Sequence, residues 1–318
     1  KDLGIPLKKK IRLILGTNEE QGSGCMKYYA QHRPIPEYGF TPDADYPLIF
    51  AEKGNFWTSL TFPIEKTPVL EMSGGESFNA VPAQCTVLLD ASQIDLHALK
   101  KSVRSEDTLD YAAEFSETDG KIRMVVNGRA AHGSTPEKGV NAVVSAAKIL
   151  VNFLGARAGS MLHFVAEQIG RASDGSELGL ARADEISADH RNLAIDIRYP
   201  VSMTLEQMID SYQKMADQNN LKFDIVESSS PHHVSKDHPL VQKLLKVYRE
   251  TTGDKASDAI AIGGGTYAKA LGGNFVAFGP EFPGSEPMNV HDIDEHIRKD
   301  LFLDHCVICA LAMAALAS

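Results

Sequence analysis

The feature that most constrains this chain is a change of texture in its middle. Near both ends, short apolar runs alternate with amphipathic segments, the pattern of strands and helices wound into an α/β layer. Residues 11–15 and 48–51 read as strands and 24–32 as a helix. The same texture returns downstream. Residues 239–251 read as a helix with Leu240, Leu244 and Val247 on its inner side, 274–278 as a strand and 300–317 as a closing helix. The middle is strand-rich instead. Period-two alternation marks residues 58–62, 83–89, 121–127, 191–199 and 221–227, with helices expected over 139–155 and 204–219. A pattern that stops and resumes is one domain in two pieces with another set inside it. We therefore expect an α/β domain built from residues 1–60 and 231–318, and an inserted α+β domain over residues 61–230. A chain of 318 residues exceeds a comfortable single core, which agrees with two domains.

Composition excludes some partners. The formal charge of −10 argues against nucleic acid or an anionic membrane surface. It is compatible with cation binding without indicating it. Cys25, Cys85, Cys306 and Cys309 are too sparse for a disulfide framework. The Cys306/Cys309 CxxC falls in the apolar, helical-looking run 303–317 and reads as core helix rather than a metal or redox site. There is no run of about 18 uncharged apolar residues, so no membrane span is expected, and the first ten residues carry no apolar signal-peptide core. Cytoplasm is the expected location.

The chemistry-bearing residues sit at element ends. Gly16-Thr17-Asn18-Glu19-Glu20 follows the first apolar run, and paired side chains at a strand's carboxyl end are where open α/β sheets build active sites. Neighbouring side chains there point opposite ways, so one glutamate can face a metal and the other a water. Asp43, in Pro42-Asp43-Ala44-Asp45, reads equally as a metal ligand or as the cap of an Asx-turn. His291, past a Gly/Pro-rich loop, is a credible nitrogen ligand, whereas His296 reads as an exposed or capping residue. His132, in a loop of small residues, fits substrate contact. Arg198 stands between apolar neighbours and needs an anion, either a substrate carboxylate or an internal salt bridge. Gly263-Gly264-Gly265-Thr266 allows close backbone approach but lacks the ending of a phosphate loop.

Taken together, these segments resemble one family. Gly16–Glu20, residues 42–47, 131–142 and 196–200, the Gly263–Ala268 turn, and Phe278-Gly279-Pro280 with His291 and Asp294-Glu295 run in order through essentially the whole chain. They are similar to the carnosinase/aminoacylase metallopeptidases, most closely the bacterial PepV-type Xaa-His dipeptidases. The resemblance implies a zinc-exopeptidase-like α/β catalytic domain with an inserted α+β lid, holding two zinc ions, with manganese an alternative. It implies Glu19 as general base, Glu20 and His291 as ligands of one metal and Asp43 as ligand of the other. His132 would stabilise the oxyanion. Arg198, Asn79, Gly264, Gly265 and Thr266 would hold the substrate carboxylate and neighbouring polar atoms of a small dipeptide.

One departure stands out. The family carries a His-x-Asp motif ahead of the Glu-Glu pair, and this sequence has no histidine before His32 and no His-x-Asp. The chain is therefore expected to be an N-terminally incomplete piece of a dipeptidase, inactive or crippled alone. A deacylase or desuccinylase on the same fold is the alternative enzyme, and a non-catalytic binding protein on a degenerate peptidase fold the alternative class. The size of the inserted segment favours a monomer over the homodimer of the deacylases.

Overall fold

The computed structural model describes residues 6–19, 22–75, 77–104, 112–169, 180–187, 190–290 and 294–318. The chain opens with helix α1 (Gly24–His32) and strands β1 (Gly39–Thr41), β2 (Ala44–Asp45) and β3 (Ile49–Glu52). There follow β4 (Gly54–Thr61), β5 (Val69–Gly74), β6 (Gln84–Asp90), α2 (Leu96–Arg104), β7 (Ala112–Thr118), β8 (Lys121–Asn127), α3 (Ala142–Leu154), α4 (Ser160–Phe164), β9 (Leu180–Ser187), β10 (His190–Tyr199), α5 (Leu205–Gln218) and β11 (Lys222–Ser229). The last stretch holds β12 (His232–His233), α6 (Pro239–Thr252), β13 (Ile260–Ile262), α7 (Tyr267–Leu271), β14 (Phe275–Ala277), β15 (Pro280–Glu281) and α8 (Lys299–Ala317). The fold is mixed α/β, with two compact units, Lys1–Lys53 joined by Pro231–Ser318, and Gly54–Ser230.

The Gly54–Ser230 unit is an eight-stranded antiparallel sheet in the order β11-β4-β10-β9-β5-β6-β8-β7. Alternation decides which face is dry. In β4, Phe56 and Leu60 are fully buried and alternate with partly exposed Asn55, Trp57 and Ser59. In β10, Leu193, Ile195 and Ile197 are fully buried on that face, and Ala194 and Asp196 between them are buried as well. The side chains of that face form one core with Val143, Ala146, Ala147 and Leu150 of α3. Each such aliphatic burial is worth roughly 1.5–3 kcal/mol before entropy is counted. The helices start where the sequence caps them. Asn141 accepts from the amides of Val143 and Val144, and Thr204 with Gln207 closes a capping box on α5.

In the other unit, β1, β14, β3 and β12 are ordered side by side, with β13 also pairing β3. β1 runs parallel to β14, and β13 parallel to β3. Its core gathers Tyr46, Leu48, Val276 and Phe278 against Leu240, Leu244 and Tyr248 of α6 and Ile308, Ala312 and Leu316 of α8.

Two expectations are corrected here. Residues 11–15 form no strand, and Ile11, Leu13 and Leu15 are 49%, 81% and 82% exposed. An apolar run becomes a buried strand only if a sheet edge accepts its backbone, and β1 pairs with β14 instead. The segment is held by polar contacts: Lys9 Nζ donates to Glu37 and Tyr38, and Arg12 donates to the Tyr29 hydroxyl and the Pro34 carbonyl. Second, α8 is not a core helix all round. Ile308, Ala312 and Leu316 are buried, but Phe302, Leu303, Val307 and Leu311 are exposed, as is Cys306. By length and composition α8 could cross a membrane, though its buried side packs on α6.

Candidate catalytic and substrate-binding site

In the Lys1–Lys53/Pro231–Ser318 unit, Glu19 lies in the turn that leads into α1. The turn is stitched by Asn18: its side chain accepts from the Cys25 amide at 2.9 Å, and its carbonyl accepts from the Ser23 amide at 3.0 Å. Gly16 is required by close approach, since a Cβ there would meet the Tyr267 hydroxyl at 2.0 Å. The Cys25 thiol faces the same hydroxyl at 3.2 Å. Burial raises its pKa, but the Tyr267 hydroxyl and nearby backbone amides outweigh that and lower it. Asp43 is exposed in the turn between β1 and β2. Glu20 and His291 lie outside the described residues. Among the described residues, no group of three or more His, Cys, Asp or Glu side chains converges to hold a metal.

The glycine turn has a partner that the sequence did not announce. Glu52, at the end of β3 and 1% exposed, accepts from the Thr266 amide at 2.9 Å and the Thr266 hydroxyl at 2.8 Å. Thr266 in turn caps α7 by accepting from the Ala268 amide. Burial raises the Glu52 pKa, opposed by the two Thr266 bonds and by Lys269. Both Thr266 donors are therefore committed to Glu52, which makes Thr266 the anchor of the turn rather than a ligand-binding hydroxyl. A Cβ at Gly264 would meet Ile262 Cδ1 in ordinary van der Waals contact at 3.9 Å, whereas one at Gly265 would press on the Lys269 stem at 3.2 Å. The available signal was a lone glutamate at the end of an apolar strand. An apolar cavity of about 550 Å³ also opens in this unit, lined by residues such as Ile11, Pro36, Phe40, Tyr267 and Met313 and by none of the expected site residues.

In the Gly54–Ser230 unit, three expected residues come together. The segment around Asn79 pairs with the His132 loop: the Gly133 amide donates to the Asn79 carbonyl at 2.6 Å and the Val81 amide to the Ala131 carbonyl at 2.8 Å. His132 Nδ1 accepts from the Ser134 amide at 3.2 Å and contacts the Ser134 hydroxyl at 2.6 Å. Because a backbone amide can only donate, the neutral ring carries its proton on Nε2. Arg198 is gripped by Asp196, Nε lying 2.8 and 3.0 Å from its two oxygens and Nη2 2.8 Å from Oδ2. Of the two anions considered for Arg198, the internal one is present, with the Asp196 side chain fully buried. Gly133 closes this cluster, for a Cβ there would meet Asp196 Oδ2 at 2.7 Å and the Asn79 carbonyl oxygen at 3.0 Å. Gly133→Ala is expected to cost about 2 kcal/mol of stability through overpacking, read as a lower urea midpoint with unchanged slope.

The whole chain, residues 1–318, matches the family model described as peptidase family M20/M25/M40. The chain belongs to this family. Among M20/M25/M40-type relatives, the Bacillus subtilis (strain 168) protein named "Putative dipeptidase YtjP" is 34% identical over 340 residues, covering 100% of this chain and 72% of that protein. The Beta-Ala-Xaa dipeptidase of Lactobacillus delbrueckii subsp. lactis is 32% identical over 326 residues, covering 94% of this chain and 67% of the relative. The crystal structure of human carnosine dipeptidase 1 aligns with a TM-score of 0.44 at 12% identity, over 94% of this chain and 64% of that one. The chain thus spans about two thirds of the length of these proteins. Membership in a metal-dependent peptidase family sets the reaction class as peptide-bond hydrolysis.

Proposed function

We propose that this protein is a cytoplasmic metal-dependent dipeptidase that hydrolyses small dipeptides. The observation that carries the reading is the match of the whole chain to a peptidase family, joined to relatives named as dipeptidases. Two carboxylates and an imidazole, Glu20, Asp43 and His291, are the proposed metal ligands, a donor set that suits zinc and also manganese. A divalent metal there supplies Lewis acidity and lowers the pKa of a water.

The chain's own residues do the rest. Glu19 accepts the proton of the attacking water and delivers it to the leaving amine. His132, its proton on Nε2, donates to the oxygen that becomes negative as the carbonyl carbon turns tetrahedral. Arg198 and Asn79 orient the substrate's terminal carboxylate, and Gly264 and Gly265 offer backbone to its neighbouring polar atoms. Thr266 holds that turn in place through Glu52. The free state of all four cysteines is the state that a reducing cytoplasm maintains.

The test, made on a chain that also carries the family's His-x-Asp segment ahead of the Glu-Glu pair, is hydrolysis of β-alanyl-histidine against N-acetyl-leucine with zinc or manganese present. The expected result is metal-dependent release of histidine, lost on chelation and restored by either metal. Preferential deacylation of N-acetyl-leucine, or turnover indifferent to chelation, overturns the reading.

A further inference from the structure

One buried donor is used by none of these roles. Trp57 Nε1 is buried and has no hydrogen-bond partner. An indole nitrogen only donates, so whatever completes it is an acceptor, and native structures rarely keep such a donor open without reason.

Its position is fixed from three sides. Trp57 alternates with buried Phe56 and Thr58 on β4, so it lies on the sheet face opposite the core. In the ladder Trp57 stands opposite Asp196, and Asn55 opposite Arg198. Residues directly opposite share a face, with Cβ atoms roughly 5 Å apart. The indole also stacks on Phe78, ring centroids 5.1 Å apart and planes 9° from parallel. Phe78 immediately precedes Asn79, whose carbonyl receives the Gly133 amide beside His132. The orphan donor therefore belongs to the same face as Arg198 and the Asn79–His132 pairing.

The electrostatics of that face explain why a second donor is needed. Arg198 is neutralised by Asp196 at 2.8 Å, so an arriving carboxylate meets an ion pair of no net charge. A neutral N–H beside the pair adds attraction without adding another charge to bury. We propose that Trp57 Nε1 donates to a carboxylate oxygen of the bound peptide, so that indole and guanidinium together select ligands ending in a free carboxylate. This rests on the dipeptidase reading above.

Trp57 is the chain's single tryptophan, so its emission reports on the site directly. Binding is measured by calorimetry and fluorescence in the Glu19→Gln background, which blocks turnover. The probes are β-alanyl-histidine, its C-terminal amide and N-acetyl-leucine. Saturable change in Trp57 emission with β-alanyl-histidine, absent with the amide, is the expected result. Trp57→Phe, which keeps an aromatic ring against Phe78, should weaken calorimetric affinity about tenfold. Undiminished affinity in Trp57→Phe, or emission unmoved while β-alanyl-histidine binds, overturns the role of Trp57 and leaves the dipeptidase reading intact. Binding of N-acetyl-leucine alone, with the emission change, supports Trp57 and removes the dipeptidase reading. No binding of any probe overturns both.

Discussion

In a chain that carries the His-x-Asp segment, Glu19→Gln is expected to lower kcat for dipeptide hydrolysis by about a thousandfold, with KM and bound metal each changed by less than about threefold. The amide keeps the size of the carboxylate and loses only its ability to accept a proton. A proton-transfer group acts mainly in the transition state, so its removal falls on kcat rather than on substrate binding. Steady-state kinetics together with elemental analysis of metal content separates this from the loss of a ligand. If Glu19 instead held the metal, content and kcat would fall together. Retention of more than about a tenth of the activity would remove Glu19 from the proton path.

The second large effect concerns stability. Glu52→Ala is expected to cost about 3 kcal/mol, because it strands the Thr266 amide and hydroxyl in a buried setting. Urea denaturation reads the loss, and a change below about 1 kcal/mol would show that the turn is held by other means. The pH dependence has a definite sign. Burial raises the folded-state pKa of Glu52 above its ordinary 4.5. The carboxyl thus favours folding fully below that ordinary value, and the contribution is lost as pH rises through the folded-state value. Glu52→Gln removes this titration. Its stability relative to the native protein should improve between pH 4 and the neutral range, measured as the difference in urea midpoints.

Much of the fold was legible because local chemistry and packing agree. Helix α1 spans the expected Gly24–His32, and β8 the expected Lys121–Asn127. The helix expected over 204–219 is α5, whose N-cap Thr204 closes a capping box with Gln207. Strand β7 is harder to read because in Ala112–Thr118 only Ala113 and Phe115 are half-buried against the core, and Ser116–Thr118 are exposed, so the alternation is too short to mark a strand. Residues 11–15 failed in the opposite sense. Their side chains satisfy a strand pattern, but burial is a property of neighbours, and no sequence window contains those.

The site divides in the same way. His132, Asn79 and Arg198 were legible as motif residues, and the structure gathers them. Asp196 as the partner of Arg198 follows from a two-residue spacing on one strand face, which the sequence does contain. Glu52 and Thr266 are 214 positions apart, so nothing local links them. Trp57 was legible only as an aromatic residue in a strand, because an unfilled donor is visible only once every neighbour is placed.

The strand pairing around residues 53–54 and 230–231 also bears on how such a chain can be assembled. In the inserted unit Asn55 stands opposite Ser229, and in the other unit Glu52 stands opposite His232. Each unit's cut ends therefore lie about one strand spacing, roughly 5 Å, apart. That makes Gly54–Ser230 a cassette. It can be removed and its host strands rejoined by a short hairpin turn, or another module with neighbouring ends can be spliced into the same point, without rerouting the chain of either part.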